Sequence, residues 1–95
     1  MRLNVTGASE KVENLARLLV KDFCTRNLPQ EKYHEVLVDL SFVNSDELVD
    51  LGECWPKFEY AAEYHRPTHF EINIRNTPDN PFLMIKILCH ELVHV

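Results

Sequence analysis

The chain has 95 residues, 45% of them hydrophobic and 26% charged, with a net charge of −5. That length allows one domain with a single modest core, and the composition is that of a soluble globular protein, not of a disordered or membrane-embedded one. Lys and Arg are scattered along an acidic chain, which disfavours a nucleic-acid groove, because phosphate binding depends on clustered cations.

No run approaches the roughly 18 apolar residues of a membrane span. The opening MRLNVTGASE also lacks the hydrophobic region of a signal peptide, so a cytoplasmic location is expected. Cys24, Cys54 and Cys89 are odd in number and show no CxxC spacing, which argues against a disulfide framework and against a zinc ribbon. They read as buried or partly buried thiols.

In chain order, Arg2 to Thr6 alternate around Leu3 and Val5 and predict a short strand closed by Thr6-Gly7. Ser9 then caps a helix to about Asn27, whose apolar face is read as Val12, Leu15, Leu18, Leu19, Phe23 and Cys24. Leu28-Pro29 ends it. A polar stretch containing His34, a surface residue by this reading, leads to EVLVDLSFV (35–43). There Val36, Val38, Leu40 and Phe42 alternate with other residues at the period of a strand. With a helix between them, the first two strands are expected to pair in parallel.

Ser45 to Gly52 reads as a short capped helix stopped by glycine, and Cys54-Trp55-Pro56 as a connection with Trp55 capping the core. Phe58 to His65 and Thr68 to Arg75 read as two extended runs joined near Arg66-Pro67. His65 and His69 lie at the ends of those runs and are taken as surface residues. In the second run Phe70, Ile72 and Ile74 alternate with His69, Glu71, Asn73 and Arg75, so one face enters a core and the other stays polar.

After a turn-rich loop, Asn80 is a good N-cap and Pro81 suits the first helical position, where its missing N–H is not required. Fourteen residues follow without Gly or further Pro. On a helical wheel Met84, Ile85, Leu88, Cys89, Leu92, Val93 and Val95 cover a broad apolar surface, and Lys86, His90, Glu91 and His94 share the remaining arc. Two histidines four apart on a helix can present both imidazoles to one metal ion, with Glu91 beside them free to accept a proton from water. Zinc is the ion this pattern suggests, with His90 and His94 as ligands and Glu91 as general base.

Strand, helix, strand, short helix, hairpin and HExxH helix is an order that resembles the N-terminal part of a minimal zincin metallopeptidase. More narrowly, FEINIR, a short loop and MIKILCHELVHV are similar to the SprT-like family and to related small phage-encoded metallopeptidases. The resemblance is specific over Phe70 to Val95; before that it rests on element order alone. It implies an α+β domain over residues 1–95, with about four strands in a small mixed sheet packed on an N-terminal helix and the HExxH helix.

The resemblance also implies that His90 and His94 bind zinc, that Glu91 polarises water, and that a polypeptide adds as a strand along Phe70 to Arg75. Family members continue past the motif to supply the third ligand, so this chain is expected to lack the C-terminal part of the domain. Two other functions compete: a non-catalytic zincin-like module that binds a protein through its strand edge or acidic surface, and metal-dependent hydrolysis of a non-peptide bond.

Overall fold

The computed structural model describes residues 1–44, 46, 48, 50–57 and 68–95. It is a small α+β fold. Strand β1 (Arg2–Thr6) is followed by helices α1 (Glu10–Asn27) and α2 (Gln30–Glu35). Strands β2 (Leu37–Val43), β3 (Gly52–Lys57) and β4 (His69–Arg75) come next, and helix α3 (Pro81–Leu92) is last.

The sheet order is β1-β2-β4-β3. β1 and β2 run parallel, as the intervening helix predicted, with Val5 opposite Leu40; β2 and β4 are also parallel, with Leu40 opposite Ile72. β3 alone is antiparallel, pairing Cys54 with Ile72. Both helical layers lie on one side of this mixed sheet. Val38, Leu40 and Phe42 of β2 and Phe70, Ile72 and Ile74 of β4 meet Ala16, Val20 and Cys24 of α1 and Met84, Leu88 and Leu92 of α3 in one buried cluster.

α1 begins where the sequence places it. The Ser9 hydroxyl accepts from Val12 N–H at 3.3 Å, and Glu13 reaches back to the Ala8 N–H at 3.1 Å, so two otherwise orphaned donors are satisfied. Its rotation differs from the expected one. The inward face is Ala16, Val20 and Cys24, flanked by Val12 and Phe23, whereas Leu15 and Leu18 are 46% and 69% exposed. Small Ala16 on the central line lets the helix lie close to the sheet, and that approach fixes the buried meridian.

Gly7 turns the chain from β1 into α1 at φ +94°, and a side chain there would overlap the Phe42 carbonyl oxygen. Gly7→Ala is therefore expected to lower stability by at least about 2 kcal/mol, read as a lower urea midpoint at unchanged slope.

Three further expectations are corrected. The polar stretch after Pro29 forms helix α2, which has no fully buried residue and so left no apolar period to read. Cys54-Trp55-Pro56 is not a connection but the middle of β3, an edge strand, where a proline can sit without costing a ladder bond on both sides. Trp55 does not cap the core: it is 56% exposed, because strand alternation turns Cys54 toward the helices and Trp55 away. The short helix at 45–52 lies partly outside the described residues, and Gly52 opens β3 instead of ending it. The extended run at 58–65 and the turn at 66–67 lie outside them as well.

The strand proposed as a peptide-binding edge, Phe70 to Arg75, is interior: β4 is flanked by β2 on one side and β3 on the other. Its backbone groups are already engaged, and among the described residues the outermost strand on that side of the sheet is β3. Among the described residues no helix is long and apolar enough to cross a membrane.

Candidate active site

α3 starts with Asn80, whose side chain accepts from Leu83 N–H at 3.2 Å, followed by Pro81 in the first turn. Twelve residues later the helix tightens: His94 N–H donates to the Glu91 carbonyl at 3.0 Å and Val95 N–H to the Leu92 carbonyl at 3.1 Å. The Lys32 ammonium holds this last turn, donating to the Val95 carbonyl at 3.0 Å while lying 5.5 Å from the centre of the Phe70 ring.

His90 and His94 remain exposed and close together, their ring centroids 6.1 Å apart and their planes at 76°. Two imidazoles sharing a zinc at Zn–N distances of about 2.1 Å have centroids roughly 5 Å apart, so the observed spacing is about 1 Å wider than a shared ion asks. Among the described residues no three His, Cys, Asp or Glu side chains are grouped to hold a metal. The pair fits the motif's part of a zinc site and leaves its third protein position unfilled by those residues.

Glu91 is placed differently from the sequence reading. It does not share the exposed arc with the histidines but joins Met84, Leu88 and Leu92 on the inward face, only 8% exposed. There it faces the start of β3. A methyl group on Gly52 would come within 3.3 Å of Glu91 Cγ, and Cys54 is near enough to feel the carboxylate's charge. Burial first, and Glu91 second, push the Cys54 thiol up to about 11, so it is a neutral, unreactive thiol at physiological pH.

Among the described residues the Glu91 carboxylate has neither a hydrogen-bond donor nor a cationic partner. Its oxygens are nonetheless not fully sealed from solvent. The arrangement is a carboxylate on the packed side of the helix, about 100° around it from the His90 imidazole, with His94 in the turn that follows Leu92.

The remaining histidines divide. His34 is exposed as expected, and His65 lies outside the described residues. His69 is a surface residue only in part: its Nε2 is 2.7 Å from Asp39 Oδ2, and Asn4 Nδ2 donates to Asp39 Oδ1 at 2.8 Å. This cluster belongs to the sheet face turned away from the helices. Lys57 pairs with Glu71 at 2.7 Å, and Asn73 donates to Glu53 at 3.0 Å, on the same face. Cys89 is exposed, Cys24 buried and Cys54 intermediate, so only two of the three thiols match the expectation. The sequence reading missed Gly52 and Cys54 as neighbours of Glu91, because their link to α3 depends on β3 being a strand.

The bond from Asn4, then that from His69, holds the Asp39 carboxyl below its ordinary value; Lys57, then Asn73, does so for Glu71. Folded values below the unfolded ones mean that both carboxylates stabilise the fold above about pH 4 and lose that contribution as pH falls through the depressed values. The double variant Asp39→Asn with Glu71→Gln is accordingly expected to be less stable than the parent chain near neutrality. The gap should close toward about pH 2 in urea unfolding curves, and a gap constant with pH would contradict the assignment.

No family model, curated protein or solved structure matches the chain.

Proposed function

We propose that this chain carries the catalytic helix of a zinc-dependent metallopeptidase domain of the SprT-like, minimal zincin kind. What supports the reading is the state of Glu91: an ionisable group on the packed face of a helix, without a partner among the described residues, its oxygens not fully sealed from solvent and two exposed imidazoles beside it. Such a group is costly to keep for structure alone, and a hydrolytic site is where it has a use.

In this reading His90 and His94 would hold the zinc, which would supply Lewis acidity toward water and the scissile carbonyl. Glu91 takes the proton from the attacking water and delivers it to the departing amine. The third protein ligand comes from outside the described residues, since a catalytic zinc site normally has three. The polypeptide lies along β3, the outermost strand among the described residues, next to Glu91. Pro56 offers no N–H there, so backbone pairing is confined to the stretch before it.

Zinc titration by calorimetry tests the metal assignment. One zinc per chain is expected, with affinity lowered at least about 100-fold by either His90→Ala or His94→Ala. Zinc binding that both substitutions leave unchanged would sink the proposal, and failure to bind zinc at all would favour the non-catalytic module that the lack of a third ligand among the described residues also suits.

A further inference from the structure

The two leucines that α1 turns away from the core form part of an ordered stripe. Lys11, Leu15, Leu18 and Asp22 recur at i, i+4, i+7 and i+11, which keeps them within about 60° of arc. They lie opposite Ala16, Val20 and Cys24, all buried. Along the helix the stripe reads cation, leucine, leucine, anion. Lys11 makes no ion pair among the described residues. Among the described residues Asp22 pairs only with Arg26 of its own helix, at 3.0 Å, with its side chain still 58% exposed.

We propose that this stripe is the docking surface for a second copy of the chain, with α1 packed antiparallel on α1 about a twofold axis midway between Leu15 and Leu18. Such an axis sets Leu15 against Leu18 of the second copy and, from the same centre, Lys11 against Asp22 of the second copy. Each contact occurs twice, as an isologous interface requires. A parallel arrangement in register brings Lys11 to Lys11 and Asp22 to Asp22, so the charges select the antiparallel one. The groove between α1 and α3, lined by Leu19, Phe23, Cys89 and Leu92, borders Asp22 and Arg26 and extends the apolar surface available to the second copy. One helix pair is smaller than a standard stable interface, so the dimer dissociates in the range of roughly 10 μM to 1 mM.

Sedimentation velocity on the whole chain between about 10 μM and 1 mM tests this. Concentration-dependent dimerisation is expected. Leu18→Glu, at an exposed position where circular dichroism should show the helix intact, is expected to leave only monomer. Lys11→Glu and Asp22→Lys should each weaken the dimer about 10-fold, since each turns two attractions into two repulsions. The double variant should return to within about threefold of the parent chain, because the reversed charges again match across the axis. A chain monomeric throughout, a double variant no better than the weaker single one, or a dimer that survives Leu18→Glu and is lost with Phe82→Ser on α3 would each overturn the proposal.

Discussion

Glu91→Gln is expected to lower peptide hydrolysis by about 10²–10⁴-fold, the usual contribution of a positioned general base, while zinc affinity stays within a fewfold. The same substitution should raise stability, by roughly 1 kcal/mol, because it removes a charge from a side chain that is 8% exposed and has no partner among the described residues. Opposite signs in the two measurements are the informative result. A carboxylate retained for packing or hydrogen bonding would cost stability when replaced. One retained for proton transfer gives stability back when its chemistry is removed. Rates on an unfolded protein substrate and urea midpoints of the two chains decide between them; a less stable variant, or one of unchanged activity, would rule out the base assignment.

The second large effect is on the fold. Leu88→Ala is expected to cost about 2–5 kcal/mol, the range for deleting a fully buried leucine whose cavity cannot collapse. Leu88 is 0% exposed and lies in the single core cluster that α3 shares with α1 and both central strands. Against a total of roughly 5–15 kcal/mol for a domain of this kind, that loss brings the protein near its folding threshold. Thermal and urea unfolding measure it directly. A cost below about 1 kcal/mol would mean that α3 is less tightly seated than its burial indicates.

Different levels of this architecture were legible to different degrees. The start and type of α3 follow from Asn80, Pro81 and an unbroken run of helix-forming residues, and the structure has them; its end at Leu92, short of the expected Val95, does not follow. Its rotation does not follow, because apolar residues encircle it: Phe82, Cys89 and Val93 are as apolar as Met84, Leu88 and Leu92, yet only the second set is buried. The periodic signal is flat, and packing against α1 and the sheet sets which side turns inward, taking Glu91 with it. The same holds for α1, where Leu15 and Leu18 compete with Ala16 and Val20 for the core and the smaller residues win by allowing closer approach.

Strand alternation was equally one-sided in what it told. In β4 it separates Phe70, Ile72 and Ile74 from the polar residues and so names the two faces correctly. It carries no information about which strands lie to left and right, so nothing in the residues of β4 corrects the edge position that the family resemblance implies. β3 had no alternation to recognise: a proline, an exposed tryptophan and a half-buried thiol occupy six residues whose pairing is set by β4 alone.

The sheet order has a consequence for how the molecule comes into being during synthesis. β3 leaves the ribosome ahead of β4, yet β4 is its neighbour in the sheet among the described residues, and β4 must also slot against β2. Until β4 has emerged, neither the second flank of β2 nor β3 has the strand it pairs with in the finished sheet. Closure is thus a late, long-range event, which favours slow folding and a window in which a chaperone, or a neighbouring nascent chain, can reach the open flank of β2.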